Sequence, residues 1–198
     1  MKYLTKDETQ RLYQQIYNDT GIHRKRNIAL FEIAKYCALR ASEVSILKIT
    51  DYNKSSKTLY CKRLKGSNSN TIKIVDEHVL KALEDYLEDR LHLETSSPYL
   101  FLSQKGSPIS RKQMDFLMKS YCQKAGIPEN KHHMHALRHS RAIELIEHGF
   151  DVNDVQYWLG HKNPDNTFKY LSYTSCLQKR LFNELARLEQ GEYAERFA

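Results

Sequence analysis

The densest chemical signal in the chain is the run His132-His133-Met134-His135-Ala136-Leu137-Arg138-His139, which sets imidazoles beside a guanidinium. His135 and Arg138 are three apart, so a helix presents both on one face. At a helix N-terminus the free backbone N–H groups and the dipole already favour a phosphate, and a histidine and an arginine added there build an anion site. Two plainer readings compete with this one. Histidines in such a run are often solvated surface groups, and His135 and His139, four apart, have the spacing of a zinc pair. The glutamate of an H-E-x-x-H motif is absent and no third ligand presents itself, so the expectation is no metal and no cofactor.

A second feature is charge that changes sign along the chain. From Tyr52 to Val75 there are Lys54, Lys57, Lys62, Arg63, Lys65 and Lys73 and no Asp or Glu, whereas Asp76 to Glu94 carries seven acids against Lys81 and Arg90. The first stretch reads as an anion-seeking edge and the second as a water-facing one. The chain also has 13 tyrosines. A phenol, with a reference pKa of about 10, is protonated at neutral pH, so a tyrosine becomes a nucleophile only with cations and a proton acceptor at hand.

The elements that must position these groups follow from apolar spacing and cap residues. Thr5 followed by Glu8 has the spacing of a capping box and predicts a helix over about 6–18, with Leu12, Ile16 and Tyr17 turned inward. A second helix, about 23–38, carries Ile28, Leu30, Phe31, Ile33, Ala34 and Cys37. Ser42 is placed to cap a short third helix through Leu47, which leaves Arg40 in a helix-to-helix corner. The period then changes: 58–63 and 70–75 read as strands of a small hairpin whose tip is Lys65-Gly66-Ser67-Asn68-Ser69. Helical spacing returns over 76–93, over 111–125 behind Ser110, from His135 to Gly149, from Asp151 or Asn153 to Gly160, briefly after Asn163-Pro164-Asp165, and again in a tail over 175–189. Tyr157 and Trp158 fall among apolar neighbours and read as core. The fold class expected is mainly α with a small antiparallel β-hairpin.

Size and composition bound the function. At about 150 residues per domain, 198 residues make one domain or one plus a small appendage. With 40% hydrophobic and 28% charged residues, collagen-like and wholly disordered chains are excluded. No apolar run approaches the roughly 20 residues of a membrane helix. The polar opening Met1-Lys2-Tyr3-Leu4-Thr5-Lys6-Asp7-Glu8 does not read as a signal peptide, and Cys37, Cys61, Cys122 and Cys176 have no C-x-x-C spacing. Both point to a cytoplasmic protein with reduced thiols. The 31 Lys and Arg against 24 Asp and Glu give a net charge of +7, which suits a polyanionic partner.

Taken in order, Leu39-Arg40-Ala41-Ser42-Glu43, the Lys65-Gly66 turn, His135-Ala136-Leu137-Arg138, Leu159-Gly160-His161 and Tyr170 resemble the boxes of the tyrosine recombinase (phage integrase) catalytic domain. The resemblance runs from about Thr5 to Thr174. It implies the DNA breaking-rejoining fold over 1–174, a helical tail over 175–198, and double-stranded DNA as partner. It further implies that Arg40 and Arg138 clamp the scissile phosphate. His135 and His161 would be further donors there, with His135 also assisting proton transfer, while Lys65 protonates the departing 5′ oxygen and Tyr170 attacks. The product would be a 3′-phosphotyrosyl link, formed and resealed without metal or ATP.

Plainer roles stand beside these. Tyr173, one helical turn from Tyr170, is a rival nucleophile, Lys65 can be an ordinary turn lysine, Arg40 can cap a helix, and Glu43 reads as a structural partner. Family members usually carry a DNA-binding domain ahead of the catalytic one. This chain opens on the catalytic domain and resembles the small stand-alone invertases, for which a dimer-to-tetramer on DNA and accessory DNA-bending proteins are expected. The tail could dock in cis or on a neighbouring protomer. A catalytically idle DNA-binding regulator and a type IB topoisomerase-like enzyme are the alternatives, and the filled set of polar positions favours the recombinase.

Overall fold

The structure, a computed structural model, describes residues 2–93 and 95–173, together with residues 182, 185–187 and 189. Helix α1 (Lys6–Tyr17) opens on the predicted capping box: the Glu8 amide donates to Thr5 Oγ1 (3.2 Å) and the Thr5 amide to the Glu8 carboxylate (2.8 Å). Helix α2 (Arg24–Tyr36) is buried on nearly every side from Arg26 onward, with Ala29, Leu30, Phe31, Ile33 and Ala34 fully buried. A helix of that kind belongs at the centre. α1, α4 (Glu77–Leu91) and α6 (His135–Glu147) pack around it.

Two helix ends border this centre. Past α2 the chain turns at Ala38, whose φ is 51°, and α3 (Ala41–Ser45) begins almost at once. Its N-cap position is Arg40, not the expected Ser42. The Arg40 amide donates to the Glu43 carboxylate at 2.9 Å, so the N3 half of a capping box holds this end without a capping hydroxyl. Helix α7 (Val152–Leu159), capped by Asp151, stops at Gly160 with φ 69°.

The minor sheet has three antiparallel strands in the order β1 (Tyr52–Asn53), β2 (Thr58–Cys61), β3 (Asn70–Lys73), with Leu59 opposite Ile72 and Cys61 opposite Asn70. β1 was not predicted, being too short to show a period. β2 ends two residues before its predicted limit because Arg63 leaves the ladder and enters the core. α5 (Arg111–Lys124) starts behind Ser110 as predicted, and α8 (Asp165–Phe168) follows Pro164.

Three expectations need correction. Arg63, counted with the anion-seeking edge, is 5% exposed and bonded throughout to protein groups. Tyr157, expected in the core, is 60% exposed, while Trp158 packs against the core and donates its indole N–H to Tyr36 O. His135 does open α6, but the Ala136 amide at that terminus is already taken by His133 Nδ1 (3.1 Å). Of the predicted tail, residues 182, 185–187 and 189 are helical, and the rest of 175–198 lies outside the described residues. Among the described residues no helix is long and apolar enough to cross a membrane.

Candidate active site

Glu43, fully buried on the first turn of α3, organises the site. Its carboxylate accepts from Arg40 Nη1 (2.6 Å), Arg63 Nη1 (3.3 Å) and the Leu64 amide (3.2 Å), and Arg138 Nη1 lies 3.8 Å away. Burial alone would raise this carboxyl's pKa. The Arg40 amide and the charges of Arg138 and Arg63 outweigh burial and hold it below its ordinary value. Arg40 Nη1 also reaches Ser67 Oγ in the hairpin turn at 3.3 Å.

Arg138, 1% exposed, is gripped by helix ends. Nη1 donates to Ala38 O beyond α2 (2.5 Å) and Nη2 to Leu159 O, the last residue of α7 (2.8 Å). Helix C-terminal carbonyls lack intrahelical partners and carry partial negative charge, so they hold a cation well. Burial and then the like charges of Arg40 and Arg63 lower the Arg138 pKa, with Glu43 opposing them. The guanidinium remains charged at neutral pH. Arg63 uses the same two helix ends, donating to Cys37 O (2.9 Å) and Trp158 O (2.7 Å).

The histidines and Tyr170 form one contiguous group. His161, 6% exposed, follows the Gly160 turn and bonds Thr167 Oγ1 through Nδ1 (2.8 Å). Its ring lies parallel to that of Tyr170, 6.4 Å between centroids. The Tyr170 hydroxyl lies 2.9 Å from His139 Nδ1, and the His139 ring meets His135 edge-on at 4.4 Å. Burial, then the nearby cations, push His161 and His139 down to about 3 and His135 to about 4. All three rings are therefore neutral near pH 7. Burial lifts Tyr170 to about 12 against the opposing pull of Arg138 and Arg40.

Arg40, Lys65, His135, Arg138 and His161 all line one open cavity of about 1120 Å³, with Arg111, Lys162 and Lys169 also on its wall. Lys65 stands on the hairpin turn in the left-handed region, φ 56°, followed by Gly66 at 68°. Tyr170 is the exception among the predicted site residues: it is 1% exposed, does not line the cavity, and packs beside it against His161 and His139. The side chain of its rival, Tyr173, lies outside the described residues. Sequence reasoning missed His139 as the partner of Tyr170, having weighed it only as half of a zinc pair, and missed Thr167. Among the described residues no group of three His, Cys, Asp or Glu side chains could hold a metal ion.

The cavity gathers cations and imidazoles that lie far apart in the sequence, in the order of boxes that the resemblance names. The description "Phage integrase family" matches residues 2–175. The chain belongs to the phage integrase family of tyrosine recombinases. It is 34% identical to the type 1 fimbriae regulatory protein FimB of Escherichia coli K12 over 169 residues, 85% of this chain and 82% of that protein. It is 31% identical to the TnP I resolvase of Bacillus thuringiensis over 183 residues, 91% of this chain and 60% of that protein. The crystal structure of XerA recombinase superposes with a TM-score of 0.78 at 27% identity, covering 92% of this chain and 64% of that one. XerH bound to difH, at 24% identity and TM-score 0.75, covers 91% of this chain and 52% of that one and shares the fold. As a tyrosine recombinase the chain is classed among site-specific DNA recombinases, and the idle-regulator and topoisomerase alternatives are not favoured.

Proposed function

We propose that the cavity takes one phosphodiester of duplex DNA and that Tyr170 exchanges places with the 5′ oxygen on its phosphorus. Arg40 and Arg138 would bind the non-bridging oxygens and stabilise the charge that grows in the pentacovalent transition state. His135 and His161, neutral donors on the same wall, add hydrogen bonds to those oxygens. Lys65, on its exposed turn, protonates the leaving 5′ oxygen. Energy conserved in the phosphotyrosyl bond then allows resealing to a new 5′ hydroxyl without ATP, and no step calls on a metal.

The observation that carries this reading is the convergence of Arg40, Lys65, His135, Arg138 and His161, from separate segments of the chain, on one cavity beside Tyr170. Tyr170 must swing from its buried resting place to reach phosphorus. On this reading the enzyme works in the cytoplasm on paired sites, as a dimer to tetramer, with DNA-bending proteins assisting where they are needed. A lambda integrase dimer bound to a core site has the same fold, at 19% identity and TM-score 0.65.

A nicked suicide duplex tests the reading. Incubated in EDTA without ATP, it should trap a covalent adduct that mass spectrometry maps to Tyr170, absent in Tyr170→Phe. Arg40→Ala and Arg138→Ala should each slow trapping by at least about 10²–10³-fold while duplex binding falls far less. An adduct on Tyr173 would overturn the nucleophile assignment, and equal losses of rate and binding would reduce the arginines to anchors.

A further inference from the structure

The group at hydrogen-bond distance from the Tyr170 hydroxyl is His139, not the expected His135. Tyr170 is 1% exposed, and its Oη has His139 Nδ1 at 2.9 Å, with the two rings 5.6 Å apart and inclined at 53°. His135 lines the cavity, whereas His139 does not. A neutral imidazole has one donor and one acceptor nitrogen, and a phenol hydroxyl both donates and accepts. In the tautomer with the His139 proton on Nε2, the phenol O–H donates to Nδ1.

We propose that His139 is a further catalytic residue, the acceptor of the Tyr170 proton in DNA cleavage; this rests on the reading of Tyr170 as nucleophile. In the resting contact the O–H bond of Tyr170 breaks and its proton passes to His139 Nδ1; the phenolate then swings into the cavity, where the freed pair on Oη forms the bond to phosphorus. The P–O5′ bond breaks, its electron pair leaves on the 5′ oxygen, and that oxygen takes a proton from Lys65. Resealing runs the same transfers backwards, so His139 returns its proton to Tyr170.

The cluster around His139 also supplies timing. The groups facing it are His135, Lys169, Arg138 and His133, all of which discourage a positive charge on the ring. A phosphodiester anion arriving against Arg138 offsets that cationic field and makes the imidazole a better base only when substrate is bound. Without DNA the same contact simply stores the nucleophile protonated and buried.

Single-turnover cleavage of the suicide duplex by the full chain decides the matter. His139→Asn keeps a polar acceptor of similar reach but cannot take the proton, and His139→Phe removes both. Each should slow cleavage by about 10²–10⁴-fold, with duplex affinity unchanged. Replacing Tyr170 by 3,5-difluorotyrosine, a more acidic phenol, should restore at least tenfold of the rate in His139→Asn while changing the wild-type rate less. His139→Asn cleaving at the wild-type rate would overturn the proposal, as would a slow variant that the fluorinated phenol does not rescue. Failure of wild-type protein to form any adduct at Tyr170 would instead bring down the nucleophile reading on which this one rests.

Discussion

Arg63 Nη1 lies 3.3 Å from Glu43 Oε2, and both side chains are fully buried. The carboxylate that reaches the surface-facing Arg40 is thus held from behind by a cation that never meets solvent. Removing one partner of such a pair strands the other charge in the interior, at a cost of about 3–5 kcal/mol. Glu43→Ala should lower the urea-unfolding free energy by that amount. Arg63→Met should cost more than any exposed lysine of the same hairpin, such as Lys62→Met, in the same measurement. Equal costs for Arg63 and Lys62 would contradict the arrangement.

Gly160 ties the hairpin to the end of α7. The Asn68 amide donates to Gly160 O at 2.9 Å, and a Cβ at position 160 would collide with Asn68 O and come within 2.8 Å of Arg63 Cγ. The left-handed φ of 69° adds a strain of about 1–2 kcal/mol for any other residue. Gly160→Ala should therefore destabilise the protein by at least about 2 kcal/mol in thermal unfolding. Gly66→Ala has a similar φ of 68° but nothing within 4 Å, and should lose only the strain.

The neutral histidines give stability a distinct pH dependence. Folded His161 and His139 take up a proton only near pH 3, against about 6.5 for an ordinary histidine. Between those values the unfolded chain binds more protons, so stability is full above about pH 6.5 and falls as the solution is acidified. For the two rings together the slope near pH 5 is at most about 3 kcal/mol per pH unit. Glu43 acts in the same direction but only below its ordinary value of 4.5. Chemical denaturation of the DNA-free protein at pH 7, 6 and 5 should show the loss beginning well above the carboxylate range. His135, held down to about 4, adds a third ring of the same sign, so His139→Asn should flatten the histidine slope by about a third.

Much of this was legible because it depends on local rules. Thr5 with Glu8, Ser110, Asp151 and Gly160 mark helix ends by short-range hydrogen bonding and φ preference, and the structure places ends there. The cavity residues were legible through the order of short motifs. Arg63 was not, because a lysine-rich hairpin gives no sign that one of its cations turns inward. That choice depends on Cys37 O and Trp158 O, carbonyls 26 and 95 residues away along the chain. His139 was hidden for a related reason. Spacing relates it to His135 on its own helix, whereas its partner Tyr170 lies 31 residues further on.

The acid assigned to Lys65 can be separated from every other role in the site by chemistry at the leaving atom. Lys65 occupies the hairpin turn at φ 56°, on the same cavity wall as Arg40, and Arg40 Nη1 contacts that turn through Ser67 Oγ at 3.3 Å. If its task is to protonate the 5′ oxygen, a 5′-bridging sulfur, which leaves as a thiolate without a proton, makes it dispensable. Lys65→Ala should then cleave the ordinary duplex about 10²–10⁴-fold more slowly than wild type, yet cleave the sulfur-bridged duplex at nearly the wild-type rate. Arg138→Ala, whose loss removes charge stabilisation, should be slow on both duplexes. A Lys65→Ala rate equally depressed on both would make Lys65 a phosphate contact, and the proton for the 5′ oxygen would have to come from His135 or His161, the imidazoles that share its cavity.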